Sequence, residues 1–111
     1  HYSKSKNPLC GDEIHIKLII NNQKIVDFGY QGKSCVYCQA TASILSNKLI
    51  NYKILKINEL CDYANSYFAK NQKNLSKEWK FLSKLLSQKN TSRQKCILLP
   101  FNTLKKIVTN L

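Results

Sequence analysis

The sequence predicts an α+β fold, a small antiparallel β-sheet built around a hairpin, with helices packed on one face. Three observations carry this. Residues 13–20 alternate apolar and polar, with Ile14, Ile16, Leu18 and Ile20 on one face and His15 and Lys17 on the other. Residues 24–31 follow a turn at Asn21-Asn22-Gln23-Lys24 and place Val26, Phe28 and Tyr30 on one face of a returning strand. Everything after residue 34 reads with helical spacing, so the strands come first and the helices last.

The helices follow in order. Gln31-Gly32-Lys33-Ser34 breaks the second strand, and Ser34 serves as the expected N-cap of a helix over residues 36–49 with Ala40, Ile44, Leu45 and Leu49 as its apolar stripe. A second helix is expected to begin after Asn58 and to carry Leu60, Cys61, Ala64 and Phe68. Residues 70–74 form a polar linker. A third helix, capped by Ser76, is expected over residues 77–87, burying Trp79, Leu82 and Leu86. Residues 88–94 are polar again. Pro100 is awkward inside a helix but acceptable in its first turn, which places the start of the last helix near Leu98 or Leu99, with Cys96 just before it. No internal repeat interrupts this order, and residues 1–111 read as a single domain.

Composition narrows the function classes. No apolar run is long enough to span a bilayer, and no signal-peptide pattern opens the chain. The chain contains no Met, so an upstream segment is expected to have been trimmed from before His1. The formal net charge is +12, but 17 of the 18 basic residues are Lys, spread without a block of like charge. Lys, Asn and Ile share A/T-rich codons, so biased base composition accounts for the lysines. A basic, zinc-stabilised nucleic-acid-binding module is the competing reading from another class. It lacks clustered Arg and paired C-x-x-C knuckles, so nucleic acid is not the expected partner. Five cysteines, an odd number without a secretory signal, argue for reduced thiols in a reducing, cytoplasmic compartment rather than a disulfide framework. An organelle stays open if a targeting segment was removed.

The chemistry concentrates at Asn7-Pro8-Leu9-Cys10-Gly11-Asp12, a bent segment that can aim a thiol and a carboxylate at one point. Cys35 and Cys96 both fall at expected helix starts, where unpaired N–H groups and the positive dipole end stabilise a thiolate. Cys10, Asp12, Cys35 and Cys96 together supply three thiolates and one carboxylate, a donor set suited to tetrahedral Zn²⁺. Thiolates suit iron–sulfur clusters as well. The carboxylate is the more exchangeable ligand, so such a site is poised to open. The alternative is that each Cys is a small buried hydrophobe. Cys35-Val36-Tyr37-Cys38 is a C-x-x-C at a helix start, a pattern of thioredoxin-like redox sites. It lacks the usual Gly-Pro and the βαβ setting, which leaves Cys38 an incidental thiol or auxiliary ligand. Cys61 reads as a packing residue, while His15 faces solvent and His1 is terminal.

Taken together, Asn7 to Asp12, then Gly32-Lys33-Ser34-Cys35 with Gln39-Ala40-Thr41-Ala42-Ser43, then Arg93-Gln94-Lys95-Cys96 resemble the NifU/IscU/SufU family of iron–sulfur cluster assembly proteins. The three motifs span most of the chain in the family's order. The SufU branch is the nearer, because Lys95 stands where IscU-type members carry His, and residues 58–88 are long enough for the SufU-type insertion. The resemblance implies a SufE/NifU-like fold with Cys10, Asp12, Cys35 and Cys96 as zinc ligands. It implies that Cys10 accepts persulfide sulfur from a SufS-like cysteine desulfurase, that Arg93 assists docking or the site, and that downstream scaffold or acceptor proteins receive the product. On that reading the chain is a sulfurtransferase-like accessory. A scaffold holding a transient [2Fe–2S] cluster on the same ligands is the close variant. Four features depart from the pattern. Ser34 replaces a Gly, Cys38 interrupts a Ser/Gly run, Pro100 stands within the last helical stretch, and little more than His1-Tyr2 and a short basic stretch precedes Asn7.

Overall fold

The computed structural model describes residues 1–7, 11–69 and 77–110. Strands β1 (Tyr2–Asn7), β2 (Asp12–Asn21) and β3 (Lys24–Gln31) form one antiparallel sheet in the order β1-β2-β3. Helices α1 (Val36–Lys48), α2 (Ile54–Ala69) and α3 (Gln94–Thr109) follow, with two 3₁₀ segments, Lys77–Leu82 and Gln88–Arg93, between the last two. The α+β class and the hairpin are as expected.

The hairpin turns through Asn22 and Gln23, both at positive φ (52° and 62°), the backbone of a two-residue turn whose twist suits its strands. Ile14, Ile16 and Leu18 are buried as the alternation requires. On β3 the expected face is corrected. Ile19 pairs with Asp27 but Ile20 with Ile25, so Val26 is the extra residue of a β-bulge. It turns outward at 45% exposure, and Ile25 joins Phe28 in the core.

β1 has no counterpart in the sequence reading, which took this stretch as a short basic segment. Its pairing runs from Tyr2 opposite Lys17 to Asn7 opposite Asp12. Among residues 2–6 only Ser5 is buried, while Lys4 and Lys6 face solvent on the sheet edge, where lysines discourage pairing with another chain. Lys106 of α3 ties β1 down by donating to Ser5 Oγ at 3.0 Å and to the Lys4 carbonyl at 3.3 Å.

α1 buries Cys38, Thr41, Ala42 and Leu45, continued by Leu49, so its stripe is rotated from the expected one and Ala40 and Ile44 are only partly buried. Its N-cap is Cys35 rather than Ser34. α2 starts at Ile54, before Asn58, because Ile57 already belongs to the face that buries Leu60, Cys61, Ala64 and Phe68. The expected helix over 77–87 is instead a 3₁₀ segment and bends, kinked at Trp79 (φ −110°, ψ 20°). Trp79, Leu82 and Leu86 are nevertheless buried, with the Trp79 ring against Tyr52 and Phe81. Ser76 and the linker over 70–74 lie outside the described residues.

α3 begins at Gln94, so Cys96 lies in its first turn and Pro100 inside the helix, against expectation. Pro100 has no N–H to give the Cys96 carbonyl four residues back, a loss of about 3 kcal/mol in an isolated helix. Burial of Ile97, Leu99, Phe101, Leu104 and Ile107 against the sheet and the other helices offsets it.

Candidate metal centre

Gly11 (φ 72°) turns the chain into β2 and leaves Asp12 as its first residue, 4% exposed. Opposite it, β3 ends and the chain runs through Gly32 to α1. Gly32 has φ 144° and lies flat against the start of β2: a Cβ there would be 3.0 Å from the Glu13 carbonyl carbon and from Ile14 Cα, and closer still to the Glu13 oxygen. The Glu13 N–H donates to the Lys33 carbonyl at 2.7 Å and fixes this approach. Asp12 and Cys35 are thereby held face to face. The Cys35 N–H donates to Asp12 Oδ1 at 3.0 Å.

α3 packs on α1, β1 and β2 and brings Cys96, 3% exposed, to the same place. One carboxylate oxygen of Asp12 and the two sulfurs of Cys35 and Cys96 all lie within 4.8 Å of one another. The edges of a tetrahedron with zinc–ligand bonds of 2.0–2.3 Å are about 3.3–3.8 Å, so a shift of roughly an ångström closes this group onto an ion.

The donor set fits a metal on its own chemistry. Asp12 Oδ2 is buried with no hydrogen-bond partner among the described residues, a costly state for a carboxylate oxygen unless a cation takes it. Cys35 caps α1, Cys96 stands in the first turn of α3, and neither first turn carries an acidic residue. The amino ends of two helices therefore meet at this point.

Of the sequence-predicted site residues, Asp12, Cys35 and Cys96 converge, and Cys10 lies outside the described residues. Arg93 immediately precedes α3, exposed, with its Cζ 5.7 Å from the centroid of the Tyr37 ring. Sequence reasoning missed Tyr37, since its pairing with Arg93 depends on how α1 and α3 pack.

The other candidates lie outside the group of three that converges among the described residues. Cys38 is fully buried, and burial pushes its thiol up to about 11, offset in part by the Ser34 hydroxyl. Cys61 is pushed up to about 12 by burial and donates to the Phe101 carbonyl at 3.3 Å, a packing role as expected. His15, on the outer sheet face, bonds to the Tyr2 hydroxyl through Nδ1 and to Glu13 Oε1 through Nε2 at 3.0 Å. His1 is exposed, its amino group donating to the Leu18 carbonyl. A groove of about 300 Å³ lined by Tyr2, His15, Lys17, Gly29 and Gln31 also lies on the sheet, and none of Asp12, Cys35 and Cys96 lines it.

Comparison with known proteins agrees with this fold. The family model of the NifU-like N-terminal domain matches residues 2–77, a span that holds Asp12 and Cys35 and stops short of Cys96. The chain is 29% identical over 104 residues to the iron–sulfur cluster assembly scaffold protein IscU of Thermotoga maritima, covering 93% of this chain and 72% of that protein. A proposed iron–sulfur cluster assembly scaffold protein for the SUF system from Fervidobacterium islandicum superposes with a TM-score of 0.82 at 26% identity, over 95% of this chain and 77% of that one. The N-terminal NifU-like protein of Brucella abortus reaches a TM-score of 0.86 at 16% identity, over 98% and 76%, and shares the fold. The chain belongs to the NifU-like N-terminal domain family, the NifU/IscU/SufU group of iron–sulfur cluster assembly scaffolds.

Proposed function

We propose that this chain is a zinc-dependent sulfur acceptor and carrier that works with a SufS-like cysteine desulfurase in iron–sulfur cluster assembly. The observation that carries the reading is the buried Asp12 Oδ2, without a hydrogen-bond partner among the described residues, grouped with the sulfurs of Cys35 and Cys96. Cys10, Asp12, Cys35 and Cys96 would hold the zinc. Bound there, zinc keeps its cysteine ligands as thiolates. Asp12 is the ligand best placed to give way, since the Cys35 N–H already engages its other oxygen.

The transfer is a thiol exchange. The Cys10 thiolate attacks the terminal sulfur of the desulfurase persulfide, a new S–S bond forms on Cys10, and the desulfurase cysteine leaves as thiolate. Cys35 and Cys96 keep their positions at the two helix ends, and the product passes to a downstream scaffold or acceptor. Residues 1–111 act as a single domain in this reading, within a reducing compartment such as the cytoplasm. No helix among the described residues is long and apolar enough to cross a membrane.

Cys10→Ala is expected to abolish persulfide loading by a cysteine desulfurase, read by mass spectrometry of the intact chain, while far-ultraviolet circular dichroism stays as in wild type. Persulfide still loading on that variant would reject Cys10 as the acceptor. The relatives described as scaffolds favour a second reading, a [2Fe–2S] cluster built as cargo on the same ligands. Anaerobic reconstitution with iron and sulfide separates the two: a stable cluster spectrum supports the scaffold, and its failure with zinc retained supports the carrier.

A further inference from the structure

Among 18 basic residues this chain has a single arginine, Arg93. In so lysine-rich a chain, the position with the guanidinium is the one where a planar, stacking cation differs from a point charge. Arg93 stands at the N-cap of α3, three residues before Cys96, and its guanidinium lies over the ring of Tyr37, two residues after Cys35. The contact therefore joins the two helix ends that carry the sulfur ligands. Tyr37 is half-buried and backed by α1, whereas Arg93 is exposed. An exposed arginine free to rotate loses side-chain entropy on docking; held on a ring, it presents its fork already oriented.

The surroundings suit an acidic partner. Lys33 and Lys95, each within two residues of a sulfur ligand, are exposed. Asp12 is buried in the site, and Glu13 is occupied by Lys6 and His15. Val36, in the same turn as Tyr37, is 80% exposed and offers an apolar contact beside it.

We infer that Tyr37 is a positioning residue that holds Arg93 ready to pair with a carboxylate on the docking cysteine desulfurase, with Val36 as the adjoining apolar contact. This rests on the sulfur-carrier reading for the partner, but the hold of Tyr37 on Arg93 is testable without it. As the only arginine, Arg93 gives a single side-chain Nε–H cross-peak in a ¹⁵N spectrum. Its heteronuclear NOE is expected to be high in wild type and in Tyr37→Phe, and to fall in Tyr37→Leu. An NOE equal in all three overturns the positioning role.

Desulfurase binding by titration calorimetry tests the rest. Arg93→Ala is expected to weaken binding about tenfold and Tyr37→Leu about threefold, with the double variant no weaker than Arg93→Ala alone and zinc content unchanged throughout. Tyr37→Phe restores wild-type affinity. Additive losses, or wild-type affinity in Tyr37→Leu, overturn the inference. Wild-type affinity in Arg93→Ala removes the docking role while the carrier reading stands. A wild-type chain that binds no desulfurase overturns both, a result the NOE keeps distinct from failure of the Tyr37 contact.

Discussion

Gly32 is where backbone geometry and the metal centre meet. Gly32→Ala adds one methyl group to a residue at φ 144°, a conformation costing a side chain about 1–3 kcal/mol. The methyl would also meet the Glu13 carbonyl and Ile14 Cα, which are backbone atoms of a paired strand and cannot swing aside. Relief requires the segment to withdraw from β2, lengthening the 2.7 Å bond from Glu13 N–H to the Lys33 carbonyl, about 1 kcal/mol more. The expected total is roughly 2–4 kcal/mol, a substantial part of the ~5–15 kcal/mol that holds a domain together. At a urea m-value of about 1–3 kcal/mol/M it lowers the midpoint by roughly 0.7–4 M. Withdrawal also separates Cys35 from Asp12, so zinc affinity should fall in the same variant. Gly29→Ala is the control: a Cβ there meets nothing within 4 Å, and stability should change by no more than about 0.5–1 kcal/mol. Urea titration with a chromogenic zinc chelator reads both quantities. Gly32→Ala matching Gly29→Ala in midpoint and zinc retention would refute the claim that this close approach builds the site.

Two further substitutions test the packing behind it. Cys61 is neutral in the fold, its thiol pushed up to about 12 by burial from an ordinary 9.0. An unfolded chain therefore loses the Cys61 proton first as pH rises, and unfolding stability falls from about pH 9 toward pH 12 by up to ~1.4 kcal/mol per pH unit from this group. Cys61→Ser, which keeps a donor for the Phe101 carbonyl, should flatten that slope relative to wild type between pH 9 and 10.5 in denaturant titrations; an unchanged slope would contradict the burial argument. Pro100→Ala returns an N–H to α3 facing the Cys96 carbonyl and should raise thermal stability by about 1–2 kcal/mol, after the lost rigidity of the unfolded chain is set against the gain. A lower melting temperature would show that the buried ring contributes more by packing than the helix loses.

Legibility followed the physics of each segment. The alternation of β2 was plain because one face is buried, and the residues expected in the core from α2 (Leu60, Cys61, Ala64, Phe68) and from the next segment (Trp79, Leu82, Leu86) are buried even where the backbone is not helical, while Ile57, Tyr67 and Leu85 join them unforeseen. β1 was invisible: Tyr-Ser-Lys-Ser-Lys-Asn holds a single apolar residue, the exposed Tyr2, so no apolar period marks a strand formed by edge pairing. The bulge at Val26 shifted a face that strict alternation places wrongly, and Pro100 moved the expected start of α3 because packing, which outweighed the missing hydrogen bond, leaves no local mark. The candidate centre is legible where the motif residues themselves converge, at Asp12, Cys35 and Cys96. Tyr37 and the close approach of Gly32 arise from contacts between elements far apart in the chain.

The central claim is that Asp12 closes a zinc site with the cysteine thiolates. It is tested most directly by the metal content and zinc affinity of gently purified wild type and Asp12→Ala. About one zinc per wild-type chain is expected, with affinity at least tenfold lower in the variant once the oxygen ligand is gone. No zinc bound by wild type even when it is supplied, or equal affinity in both proteins, would contradict the account.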